Sequence, residues 1–222
     1  MFYFPMVFLF MLAFFILLIF LFILITVGAI GYAFDKVGIP PAIVFVLLLA
    51  CLAGSYINIP IHRIRNEEVI TNQVVSFFGF RFRVPLMSRR ETVLAVNVGG
   101  GIIPTLLATY LLVTTASPLQ ALVGVGIVAA VSKYLARPVP GLGIAMPAFI
   151  PPIAATLVAL LFAPAQEAPI VAYISGTFGV LIGADLLNLK DLAALRAPVV
   201  SIGGAGTFDG IFLTGIIAVL LA

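Results

Sequence analysis

Charge is what this chain has least of: 11 Lys and Arg with 8 Asp and Glu make up 9% of 222 residues, against 64% hydrophobic residues. So few polar side chains cannot cover a water-soluble domain, and a mean hydropathy of +1.32 makes lipid the expected solvent. Cysteine is nearly absent too. Cys51 stands alone inside an apolar run, which excludes an intramolecular disulfide and a cysteine-based zinc site and leaves a small buried residue. The first five residues, Met1-Phe2-Tyr3-Phe4-Pro5, include no Lys or Arg. A secretory leader begins basic and has an apolar stretch of only about 7–15 residues, so the long run that follows here is expected to stay as a first helix.

What is present is a series of seven apolar runs broken by charge, Pro and Gly, near residues 6–34, 41–59, 92–113, 119–135, 142–162, 170–188 and 198–222. The first meets no charge before Asp35 and exceeds the roughly 20 residues that cross a hydrocarbon core. The pattern predicts an all-α integral membrane protein with about seven transmembrane helices, forming one polytopic domain over residues 1–222. Residues 60–91 form an insertion between helices 2 and 3. That polar stretch carries His62, Arg63, Arg65, Arg81, Arg83, Arg89 and Arg90; Lys133 and Arg137 follow the fourth run, and Lys190 and Arg196 the sixth. Ten of the eleven Lys and Arg thus fall on one side of the predicted helices and Lys36 alone on the other. The basic side reads as cytoplasmic, which places the protein in the cell membrane with its N-terminus inside and its C-terminus outside. The net charge of +3 is then a topology signal, with membrane lipids as expected partners and no nucleic acid.

Within the insertion, Phe80, Phe82 and Val84 alternate with Arg81 and Arg83 at the period of a strand. This predicts a short cytoplasmic β-hairpin over residues 69–85, turned at Ser76-Phe77-Phe78-Gly79, with a Phe face towards lipid or protein and an Arg face towards phosphates. A solvated connector whose arginines only set topology fits the same residues.

An ionisable side chain at the centre of a span costs about 2.5–3.5 kcal/mol on the insertion scale, so such residues mark function. Asp185 lies in Gly183-Ala184-Asp185-Leu186-Leu187-Asn188, near the cytoplasmic end of the sixth helix. Asp209 follows Gly203-Gly204-Ala205-Gly206-Thr207-Phe208 at the cytoplasmic start of the seventh. The hairpin connection sets both at similar depth on antiparallel neighbours. Two close carboxylates in a low dielectric share one proton, so one can activate water while the other protonates or polarises a carbonyl. The glycines before Asp209 allow local unwinding that admits water or an extended substrate. Each Asp also has a plainer reading, as a helix cap or as a partner of Lys190 or Arg196.

Through Gly54-Ser55-Tyr56-Ile57-Asn58-Ile59-Pro60, Val96-Asn97-Val98-Gly99-Gly100 and residues 203–215, the chain resembles an uncharacterised family of bacterial and archaeal multi-pass membrane proteins, a domain of unknown function, which implies no activity. The order and direction of Asp185 and Asp209 also resemble the last two helices of the presenilin-like GxGD intramembrane aspartyl proteases. That resemblance implies catalytic roles for Asp185 and Asp209, substrate contacts at Gly204, Gly206, Pro147 and Ala148, a transmembrane peptide substrate, and neither metal nor cofactor. Two departures stand beside it: Thr207-Phe208 separates Gly204-Ala205-Gly206 from Asp209, and Pro147-Ala148-Phe149 is the nearest match to the family's Pro-Ala-Leu motif.

A second reading is an ion- or proton-coupled transporter or channel. It rests on two Gly-interrupted helices of like direction, one at Asn97 with Gly99-Gly100-Gly101 and one at residues 203–209, and on a further break at Pro147, Pro151 and Pro152. Val96-Asn97-Val98-Gly99 faintly echoes Val200-Ser201-Ile202-Gly203. Lys133 is either a counter-ion on such a path or a snorkelling topology charge, and Asn58 and His62 read as caps. A third reading, a structural membrane protein, explains the small residues by helix packing and leaves Asp209 unexplained.

Overall fold

The uncharged N-terminal run folds as a helix of 33 residues, α1 (Phe4–Lys36), about 50 Å long at 1.5 Å per residue. This computed structural model describes residues 4–65, 73–77, 80–84, 91–139, 143–189, 199–204 and 210–222. Among the described residues six further α-helices follow, most of them opened by proline, whose missing N–H costs nothing in a first turn. They are α2 (Pro41–Gly54), α3 (Ile103–Thr114), α4 (Pro118–Leu135), α5 (Ile150–Phe162), α6 (Ala168–Val180) and α7 (Gly210–Leu221). Pro151 and Pro152 stand at the start of α5, so they begin this helix where a break within a span was expected. Among the described residues, three helical stretches are long and apolar enough to cross a membrane: Phe14–Lys36, Pro118–Leu135 and Ala168–Leu189.

The chain is mainly helical, as expected, but not purely so: the expected all-α core also holds strands. β2 (Gln73–Phe77) and β3 (Phe80–Val84) pair antiparallel and close on Phe77 opposite Phe80. This is the antiparallel pairing expected within residues 69–85, with Ser76 and Phe77 in a strand where the turn was expected; residues 69–72, 78, 79 and 85 lie outside the described residues. β1 (Asn58–Arg65), β4 (Glu91–Asn97) and β7 (Val199–Ile202) form a second sheet, with β4 in the middle, antiparallel to β1 and parallel to β7. A short pair, β5 (Arg137–Val139) with β6 (Gly143–Ala145), links α4 to α5. Residues 92–97, 199–202 and 143–145 were expected at the starts of membrane helices. Apolar content cannot tell a buried strand from a buried helix, and the β-branched Val93, Val96, Val199, Val200 and Ile202 favour the strand. Pro60 is accommodated in β1 at a register shift between Pro60 and His62.

Cross-contacts fix the direction of each helix. β1, β4 and β7 bring the end of α2 and the starts of α3 and α7 to one end of the bundle, and Lys133 on α4 reaches residues 187 and 188 beyond α6 at that same end. At the opposite end Lys36 Nζ donates to the Val219 carbonyl, which sets the C-termini of α1 and α7 side by side. There too Glu167, before α6, accepts from Thr115 Oγ1 and from the Ala116 N–H, after α3. The helices therefore alternate in direction. The strand end carries the described Arg63, Arg65, Lys133 and Arg137, and the other end carries Lys36.

α6 is the axis of this packing, buried at nearly every position from Ala168 to Val180. Ser175, Gly179 and Gly183 recur every fourth residue and lie against Gly124, Val128 and the Ala129–Ser132 turn of α4. A Cβ on Gly179 would come within 2.5 Å of Val128, so the close approach of the two helices requires glycine. On its other flank, Gly176 meets Thr214 and Tyr173 meets Gly215 of α7. The Phe34 and Tyr173 rings, 6.5 Å apart, join α1 to the same core.

Candidate functional site

The glycine triplet after β4 does not begin an ordinary helix. Val98–Ile102 forms a π-helical turn, and its glycines are buried against other backbone. A Cβ on Gly99 would collide with the Cys51 carbonyl at the end of α2, and one on Gly100 with the Gly203 carbonyl. Gly203 itself has φ +81°, a left-handed backbone suited to glycine, and presses on the Gly101 backbone. The glycine segments after two parallel neighbouring strands thus interlock. The faint sequence echo between them is offset from the pairing, since Val96 lies opposite Ile202 and Val200 opposite Leu94.

Asn97 closes this crossing. Fully buried, it accepts from the Gly100 N–H at 2.8 Å and donates to the Ser55 carbonyl at 2.6 Å and to Asn58 Oδ1 at 3.1 Å. Asn58 Oδ1 also accepts from Ser201 Oγ at 2.6 Å. One amide thereby ties α2, all three strands and the π-turn, with its donors and its acceptor all used. From sequence alone Asn58 is expected to be a simple cap and Asn97 part of an opened helix. An amide beside three glycines in an apolar run was the available signal.

α6 continues into a second π-turn, Leu181–Asp185, and Asp185 is its last residue, half-buried. π-turns of this kind often occur at functional sites. Beyond it, buried Asn188 donates back to the Gly183 and Ala184 carbonyls at 3.1 and 2.8 Å. Lys133 Nζ donates to the Leu187 carbonyl at 2.9 Å and Asn188 Oδ1 at 2.6 Å. Lys133 is therefore a cap on the end of this helix, where its charge also suits the dipole.

Four of the six residues singled out as a site are described: Asp185, Gly204, Pro147 and Ala148. Asp209 and Gly206 lie outside the described residues, as do Lys190 and Arg196. The chain neighbours of the described four meet. Ala184, Val180, Ile202, Ile211 and Ala136 form one buried cluster, with Met146 and Leu181 packed on it. Gly210, the first residue of α7 and next in sequence to Asp209, faces Val180 and Met146: a Cβ built there would lie 3.8 Å from Val180 Cγ1 and 4.0 Å from Met146 Cε. Gly204, with φ +87°, sits with Gly203 at the crossing near β4. Among the described residues no group of three or more His, Cys, Asp and Glu gathers where it could hold a metal ion.

No curated protein and no solved structure matches the chain. A family model does, over residues 52–221, from the end of α2 to the end of α7. The chain belongs to the family described as protein of unknown function (DUF1614).

Proposed function

We propose that this protein is an intramembrane aspartyl hydrolase that cleaves transmembrane peptides, with Asp185 and Asp209 as a proton-sharing pair. The observation that carries the reading is that Gly210 faces Val180 and Met146, which a Cβ built there would meet at 3.8 and 4.0 Å. Asp185 lies five residues past Val180, about 7 Å along the helix, and Asp209 one peptide bond before Gly210. The reading sets the two carboxylates at similar depth on antiparallel neighbours, and the nearness of Val180 and Gly210 supports it. Above the apolar floor of Ala184, Ile202, Ile211 and Met146, the ionised carboxylate takes a proton from water, whose oxygen attacks the peptide carbon. Its protonated partner hydrogen-bonds the carbonyl oxygen, and the C–N bond breaks as a proton passes to the leaving amine. The transporter reading needs carbonyls opened by glycine; Gly99, Gly100 and Gly203 lie instead against other backbone, which weakens that reading.

The same reading gives the chain seven crossings of the cell membrane, with the basic strand end and its β2–β3 hairpin in the cytoplasm and Lys36 and Ala222 outside. The alternating helix directions and the gathering of Arg63, Arg65, Lys133 and Arg137 at one end support it. Anionic lipids are the expected neighbours of that end.

The test incubates the purified protein with a panel of single-span peptides and reads products by mass spectrometry. Asp185→Asn and Asp209→Asn are each expected to abolish cleavage nearly as completely as the double change, because a shared-proton pair fails with either member lost. Cleavage surviving in both variants would assign it elsewhere, and Asp209-dependent ion flux without cleavage would favour a transporter.

A further inference from the structure

Beside the turn that joins them, α1 and α2 line a groove of about 530 Å³ at the end of the bundle opposite the strands. Its walls are apolar: Val27 and Gly31 on α1, Val44, Phe45 and Leu48 on α2. Val27, Gly31 and Asp35 recur every fourth residue, so the apolar stripe of α1 ends on a carboxylate, with Tyr32 beside it. Asp35 is exposed, and among the described residues nothing gives its side chain a hydrogen bond or an ion pair. Lys36, next in sequence, is committed elsewhere, to the Val219 carbonyl at 3.4 Å with its Nζ 5.2 Å from the centre of the Tyr32 ring. The carboxylate also sits in the last turn of α1, where the helix dipole disfavours a negative charge.

We infer that this groove binds one acyl chain of an aminophospholipid whose primary ammonium pairs with Asp35. The surroundings point to lipid, because the most apolar window of α1 has no buried residue and is long enough to lie in a bilayer. Charge selects the headgroup. A primary ammonium donates hydrogen bonds to a carboxylate, a choline group has no N–H to donate, and a phosphoglycerol headgroup brings no cation at all.

Gly31 provides a clean probe, because a Cβ added there meets nothing within 4 Å. Gly31→Leu therefore fills the groove from inside without disturbing the packing, and Asp35→Asn removes the charge while keeping the shape. The experiment is native mass spectrometry of the full chain in mixed micelles holding equal phosphatidylethanolamine, phosphatidylcholine and phosphatidylglycerol. For the unaltered protein, phosphatidylethanolamine adducts are expected to exceed phosphatidylglycerol adducts about fivefold, the yield of one charge-assisted hydrogen bond at a partly wet site. Asp35→Asn is expected to bring the two to parity, and Gly31→Leu to remove the retained adduct of every lipid. Equal adducts in the unaltered protein, a preference that survives Asp35→Asn, or retention unchanged by Gly31→Leu would each overturn the inference. Protection of buried Cys51 from a thiol reagent confirms that both variants fold, and a variant that fails this check leaves the other to decide.

Discussion

The three hydrogen bonds of the Asn97 side chain go to residues that follow α2, belong to β1 and open the π-turn, so no alternative amide geometry satisfies them together. Asn97→Ala strands the Gly100 N–H and the Ser55 carbonyl in a buried site and is expected to cost about 3 kcal/mol. Asn97→Asp should do no better, since it sets a carboxylate oxygen against the two oxygens that now accept from Nδ2. Reaction of Cys51, buried and the sole cysteine, with a thiol dye during denaturant titration reads both. A loss under about 1 kcal/mol for Asn97→Ala would contradict this role. Glycines divide in the same assay. Gly99→Ala should prevent folding, while Gly126→Ala, with open space around its Cβ, should be neutral or stabilise by about 0.5–1 kcal/mol. Both glycines sit in apolar runs and look alike in sequence. What separates them is the backbone of α2 lying on Gly99, a contact between residues 48 positions apart that local pattern does not encode.

Among the elements, helices were the legible part. α4 begins at Pro118 and ends at Leu135, against an apolar run of 119–135, because proline and then Arg137 with Pro138 mark both ends chemically. The hairpin was legible for the same reason, since alternation of Phe and Arg is a local signal. The sheet of β1, β4 and β7 was not, because β7 joins β4 across more than 100 residues and these two strands begin runs that hydropathy reads as helix. The α4–α6 seam was legible only as a general abundance of small residues. Its geometry makes a sharper prediction. Gly179→Ala should destabilise by about 2 kcal/mol through its clash with Val128, and Val128→Ala should recover part of that loss in the double variant, as expected for residues in direct contact. Strict additivity would mean that the helices do not meet there. At the end of α6, Lys133→Met should cost about 1 kcal/mol, modest because the ammonium is exposed.

For the whole molecule, the proposed orientation can be read with reporters. A reporter fused after Ala222 should read extracytoplasmic and one placed within residues 66–72 cytoplasmic; a cytoplasmic C-terminal reporter would mean one crossing fewer or more. The candidate site was legible as two acids in the sixth and seventh runs. Its floor was not, because Ala184, Ile202, Ile211 and Met146 come from separate parts of the chain and carry no signature of their own. The central claim is that Asp185 and Asp209 face one another, and paired cysteines test it most directly. In a Cys51→Ser background, Asp185→Cys with Asp209→Cys should form a disulfide under mild oxidation, which requires Cα atoms within about 7 Å. Val180→Cys with Gly210→Cys, neighbours in the structure, serves as the reference pair. The account expects both pairs to close; a reference pair that closes while the acid pair stays open would place the two carboxylates too far apart to share a proton.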